Sequence, residues 1–222
     1  CLVATMTVFC LSYNMLFGQT GLLSFGHAVY SGLGAFAAVH AMNLAAGGQV
    51  PLPLPLIPLV GGVVGLVFGL LFGYVTTRRA GTTFAMITLG IAELVYACSH
   101  IFPGFFGGEA GVTSDRVYGT PLFGWTFGPQ IQVYYLIAAW LFVCTLAMYA
   151  LTRTPLGRIA NAVRDNPERA EFVGYDTQRV RYMMLSISAF FAGISGGLAS
   201  INFEVAGTEA LSIARSGDAL FF

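Results

Sequence analysis

The 222-residue chain has no lysine and little charge of either sign: ten arginines face ten acids, and charged residues make up 9% of the whole. Soluble domains carry about a quarter charged residues, so too few are present here to build a water-facing surface. The balance of signs leaves no basic face to neutralise phosphates, which argues against a nucleic-acid partner. The four cysteines, Cys1, Cys10, Cys98 and Cys144, are scattered through apolar runs without a CxxC pair. They read as small packing residues, and neither a disulfide framework nor a metal site is expected. HExxH is absent, and no nucleophile–base set stands out, so an intramembrane enzyme is disfavoured.

What the chain has is long apolar runs. Hydrophobic residues reach 56%, and mean hydropathy is +0.76. A helix needs about 20 apolar residues to cross a bilayer. Six runs qualify: Cys1 to Phe17, Gly21 to Ala46, Leu56 to Thr76, Thr82 to Phe102, Ile131 to Leu151 and Met183 to Phe203. They are too long, and alternate too little, for barrel strands. The expected fold is all-α: one polytopic membrane domain over 1–222 with at least six transmembrane helices, to which the terminal "ALFF" could add a seventh. The chain starts inside an apolar run without methionine and stops at "SGDALFF", so both ends read as truncated.

Arginines set the orientation. Arg78 and Arg79 follow the third run, Arg153 the fifth, and Arg158, Arg164, Arg169, Arg179 and Arg181 lie beyond it. The positive-inside rule places 77–81 and 152–182 in the cytoplasm, with 47–55, 103–130 and the stretch after 204 outside.

Residues 152–184, "TRTPLGRIANAVRDNPERAEFVGYDTQRVRYMM", are the most informative. Thr154-Pro155 signals a helix start. Leu156, Ile159, Ala160 and Val163 then form an apolar stripe opposite Arg158 and Arg164, so this helix is expected to lie along the membrane face. "DNP" breaks it, Asn166-Pro167 opens a second short helix, and Gly174 is placed to end that one. Asp176 or Thr177 then caps the last span. A short, doubly punctuated cytoplasmic helix is suited to docking; a solvated basic loop is the alternative.

"ERAEFVG", Glu168 to Gly174, resembles the EAAxxxG coupling motif of ABC-transporter permeases, matching at Glu168, Ala170 and Gly174 and departing at Arg169. More specifically, "TPLGRIANAVRDNPERAEFVGYD", the glycine-rich "GLLSFGHAVYSGLGAF", "TFAMITLGIAE" and "FFGGEAGVT" together resemble the branched-chain amino-acid permease family, and its M-type subunit in particular. That resemblance implies a transport subunit of the bacterial inner membrane that does no chemistry itself and binds no cofactor directly. Its partners would be a second permease, two ATP-binding subunits that hold and hydrolyse ATP, and a periplasmic substrate-binding protein. Pro167, Glu168, Arg169, Ala170, Glu171 and Gly174 would form the coupling contact with the ATPase. Branched-chain or other small amino acids are the implied cargo; urea or short amides, or an ion-coupled secondary transporter, are the alternatives.

Three further features bear on a path. Glycines at 21, 26, 32 and 34 are dense for a helix, where each costs up to about 1 kcal/mol relative to alanine. They fit close packing around a pathway, or close packing alone, with "SFGHA" suited to a break near the cytoplasmic side. His27 has no second ligand at helical spacing, so it is expected to hydrogen-bond a neighbouring helix, with path lining as the lesser reading. Glu93 falls mid-span, where a charge is costly. It is expected to face the bundle interior, either in an interhelical hydrogen bond or lining the path. Gly26, His27 and Glu93 are therefore the path candidates. In the external loop 103–130, Glu109, Asp115 and Arg116 are the candidate contacts for the binding protein, a simple interfacial loop being the alternative.

Overall fold

The computed structural model describes residues 1–48, 52–117, 127–212 and 216–217, with only the backbone of Glu109. Six of its helices are long and apolar enough to cross a membrane. They are α1 (Leu2–Thr20), α2 (His27–Ala46), α3 (Ile57–Thr76), α4 (Thr82–Ile101), α6 (Gln130–Arg153) and α9 (Thr177–Phe203). Short α5 (Pro103–Phe106) lies between α4 and α6, and α7 (Pro155–Asp165) and α8 (Pro167–Phe172) lie between α6 and α9. Two-residue strands β1 (Val112–Thr113) and β2 (Val205–Ala206) pair antiparallel, a small exception to the all-helical expectation.

Helices α2 and α9 form the centre and are buried on nearly every side, α3 packs against both, and α4 and α6 are peripheral. Small residues make this arrangement possible. On α3, Gly61, Gly65, Gly69 and Gly73 recur every fourth position and are buried, while Val63, Val67, Leu70, Leu71, Tyr74 and Val75 point outward. The helix therefore turns its bulk toward the surroundings and its bare backbone toward α9, as membrane helices do when contact rather than water exclusion drives packing. A Cβ on Gly34 of α2 would lie 2.7 Å from Gly193 Cα, and one on Gly61 would lie 2.7 Å from the Gly193 carbonyl oxygen. Three backbones meet at Gly193.

The first two spans differ from expectation at their junction. Helix α1 runs on to Thr20, where Gly21 takes a left-handed conformation (φ 69°) and donates its N–H to the Phe17 carbonyl. Residues 21–26 are non-helical, and α2 begins at His27 rather than at Gly21. The last span begins at Thr177 rather than Met183, because Asp176 accepts the Arg179 N–H and starts the helix earlier.

Arg78 stacks over Tyr74 and Arg153 over Tyr149, each four residues back along the chain. One expectation fails: the stretch after 204 does not stay at the end of the bundle that holds β1 and β2. From β2 the chain turns inward, Leu211 seats against Gly32 of α2, and buried Ser216 accepts the Ala28 N–H at 2.9 Å. Both partners belong to the first turns of α2, at the opposite end of the helix from β1 and β2. A possible seventh span at "ALFF" lies outside the described residues.

Candidate functional site

The segment between α6 and α9 forms a compact stub. Thr154 precedes α7, but its hydroxyl donates to Leu151 rather than capping the new helix. Gly157, Ala160 and Val163 are buried against the ends of the long helices. Asn166 then caps α8, its Oδ1 accepting the Arg169 N–H at 2.9 Å, with Pro167 in the first turn and Glu168 at the positive end of the helix. The helix closes with Tyr175 N–H on the Ala170 carbonyl and Gly174 N–H on the Glu171 carbonyl, Gly174 having φ 98°. This paired closure needs a positive φ at its glycine. Thr177 donates to Glu171 Oε1 at 2.8 Å, tying α8 to the first residue of α9.

Within this stub Ala170 faces inward and is buried, whereas Pro167, Glu168, Arg169, Glu171 and Gly174 are exposed. Sequence reasoning missed the apolar tip. Phe172 is 91% exposed and Val173 72% exposed at the end of α8, with Tyr175 beside them. The signal was available: two large apolar residues closing a charged six-residue helix have no amphipathic face to occupy. On the other side of the stub, Arg164 donates to the Gly18 carbonyl and to Asp165. Arg164 thereby grips the C-terminal end of α1, whose carbonyls lack helical partners and attract a cation.

Beyond that grip lies the break at 21–26. Phe25 N–H donates to Thr88 Oγ1 of α4 at 3.3 Å. A Cβ on Gly26 would sit 2.5 Å from the Thr88 carbonyl, so glycine is needed there for close approach to α4. His27 is fully buried and hydrogen-bonded through Nε2 to Ser12 Oγ of α1 at 3.0 Å, an interhelical bond of the kind expected. The rings of Phe9, Tyr13 and Tyr30 surround it at 5.3–5.9 Å between centroids. His27 Nδ1, Ser24 Oγ and Ser31 Oγ are buried without a hydrogen-bond partner among the described residues.

Glu93 corrects a second expectation. The inward face of α4 is Phe84, Ala85, Thr88, Ala92, Val95 and Ser99; Glu93 lies outside it and is exposed. No hydrogen bond or ion pair holds it among the described residues. A charge at the centre of a span costs about 2.5–3.5 kcal/mol on insertion scales, so this face is not one to present to lipid. Hydropathy fixes the depth of a residue, not its azimuth, and here the small inward residues of α4 claimed the bundle.

At the end of the bundle that holds β1 and β2, His40 Nε2 is hydrogen-bonded to the Phe105 carbonyl at 2.8 Å, and Asn43 Nδ2 donates to the Thr113 carbonyl at 3.1 Å. Arg116 forms an ion pair with Glu204 at 2.9 Å and donates to the Gly128 carbonyl, with its side chain only 13% exposed. Its partners lie within this chain, so it is not left free for another protein. Asp115 is exposed and accepts the Val117 N–H. Glu109 lies in a short 3-10 turn, its side chain outside the description. No group of three or more His, Cys, Asp or Glu side chains that could hold a metal occurs among the described residues.

The comparisons agree with this architecture. The chain is 27% identical to a high-affinity branched-chain amino acid transport system permease protein, LivM, of Salmonella typhimurium, over 96% of this chain and 55% of that protein. It is 25% identical to the LivM of Escherichia coli with the same coverage. A fructose import permease protein, FrcC, of Rhizobium meliloti is 28% identical over 63% of the chain and 40% of its own length. The chain thus spans about half the length of the LivM relatives. No solved structure matches. The family described as branched-chain amino acid transport system, permease component, matches residues 1–217, and the chain belongs to that family.

Proposed function

We propose that the chain is the membrane-spanning part of a permease subunit in an ATP-driven importer of branched-chain or other small amino acids, in a bacterial inner membrane. The observation that carries this reading is the stub: a helix capped at Asn166, closed at Gly174, and ending in an apolar tip left exposed among the described residues. Two separate ATP-binding subunits would receive such tips, one from each of two permeases. Phe172 and Val173 fill the apolar part of the contact, while Glu168, Arg169 and Glu171 set its orientation by charge.

Movement at the stub reaches the membrane by two routes. Glu171 fixes α8 to the first residue of α9, the central helix, which Asp176 caps. Arg164 fixes α7 to the end of α1, next to the break. Of the path candidates, Gly26 adjoins that break and Glu93 lies on the uncovered face of α4, whereas His27 is enclosed by Ser12 and three aromatic rings. The exposed Asp115, with Glu109, would meet a periplasmic binding protein at the external cap.

The test is reconstitution of the full-length permease with its partner subunits in vesicles. ATP-dependent uptake of L-leucine that survives proton uncouplers is expected, together with cross-linking from Cys-substituted Phe172 to an ATP-binding subunit. Uptake abolished by uncouplers but indifferent to ATP would favour an ion-coupled carrier instead.

A further inference from the structure

We propose that Glu93 supplies the counter-charge for the α-ammonium group of the transported amino acid. This rests on the import reading above and adds to it a specific cargo contact. Glu93 is the twelfth of the twenty residues of α4, so its carboxylate stands near mid-membrane. It is exposed on this chain and pairs with nothing among the described residues. One turn to either side, Gly90 and Ala97 are also exposed, and a Cβ on Gly90 would meet nothing within 4 Å. The helix therefore presents a carboxylate with only a bare glycine and a small alanine one turn to either side, leaving room for a small ligand to approach it.

The chain offers little to neutralise that charge. Lysine is absent, and the arginines of the described residues lie at 78, 79, 116, 153, 158, 164, 169, 179 and 181. These fall at the cytoplasmic ends of helices, in the cytoplasmic stub or in the external cap; none falls in the middle turns of a span. Arg215 lies outside the described residues. A zwitterionic amino acid brings the missing cation with it. Its ammonium group donates charge-assisted hydrogen bonds to a carboxylate, and these strengthen where water is scarce. A neutral sugar would gain no comparable term, so the same residue would separate amino acids from uncharged cargo.

The experiment uses the reconstituted complex with full-length permease and reads L-leucine molecules delivered per ATP hydrolysed. Glu93→Gln is expected to lower that ratio about tenfold or more, the loss of one charge-assisted contact. Glu93→Asp keeps the charge and is expected to retain most of it. A wild-type ratio in Glu93→Gln overturns the proposal and leaves ATP-driven import standing. Equal losses in Asp and Gln assign the residue to packing against the second permease and overturn it too. Recovery of Glu93→Gln by Arg215→Gln would make Arg215 the true counter-ion. A wild-type complex that hydrolyses ATP without moving leucine or any other small amino acid removes the import reading itself, and this proposal with it.

Discussion

One substitution, glycine to alanine, should act with opposite sign at two helical positions. At Gly193 in α9 an added Cβ would fall on the Gly61 carbonyl of α3 and lie 3.1 Å from Gly62 Cα. Carbon–oxygen contacts settle at about 3.3–3.6 Å, so α3 and α9 would have to separate by about 1 Å. Neither helix can yield freely, since a Cβ on Gly34 of α2 already falls within 2.7 Å of the same residue. Overpacking of this kind costs about 1–3 kcal/mol, and the helix preference of alanine returns up to about 1 kcal/mol. Because the clash is with the backbone of α3, and α2 packs as closely on the same residue, the cost falls at the upper end of that range. Gly193→Ala should therefore lose about 2 kcal/mol of stability. At Gly90 in α4 nothing lies within 4 Å, so only the helix preference remains and Gly90→Ala should gain up to about 1 kcal/mol. Unfolding of the purified permease in mixed detergent–SDS micelles, followed by far-ultraviolet circular dichroism, reads both. A Gly193→Ala variant as stable as the parent would refute the backbone-contact account of the central helices.

Burying an aromatic ring contributes about 2–3 kcal/mol, so Phe172→Ala should weaken binding of the ATP-binding subunits by about 30-fold or more. Phe172→Tyr should restore most of it, and an unchanged affinity in a fluorescence titration would remove the apolar tip from the contact. Arg164→Ala should leave the stub folded but lower leucine delivered per ATP by about fivefold, the scale of one charged hydrogen bond discounted for its exposure. ATP hydrolysis that falls in parallel, with the ratio intact, would show that Arg164 supports assembly rather than transmission.

The spans were legible because their signal is length, and each run reads as a helix whatever it packs against. The stub was legible for a related reason: Asn166, Pro167, Gly174 and Asp176 act through bonds to residues a few positions away. Glu93 was placed at the right depth and on the wrong face, since azimuth is set by which neighbours a helix acquires. The return of the chain after β2 was hidden because "GTEALSIARSGD" is short and partly polar, and only the bare backbone of Gly32 gives Leu211 a seat. The glycine ladder of α3 did stand in the sequence, at intervals of four, but its partner at Gly193 is more than a hundred residues away. His27 illustrates the limit from the other side: its interhelical bond was expected, while Ser12 as the partner and the ring box around it required the fold.

The distribution of close contacts limits where this molecule can move. Helices α2, α3 and α9 touch backbone to backbone, so sliding one past another would drive carbonyl oxygens into Cα atoms. Packed interiors switch between discrete arrangements rather than deform smoothly, and a seam this tight has no obvious second arrangement. Motion entering at α8 should therefore carry the three central helices as one body. The parts left to move against it are the peripheral ones: α4, the non-helical 21–26 segment, and the returning chain at Leu211 and Ser216. These meet at the N-terminus of α2, where Phe25 and Gly26 touch Thr88 and Ser216 caps Ala28. Arg164 reaches the same junction from below, through the Gly18 carbonyl. The glycines of the opening stretch thus divide into two uses: Gly34 locks a rigid body together, while Gly21 and Gly26 make the joint beside it.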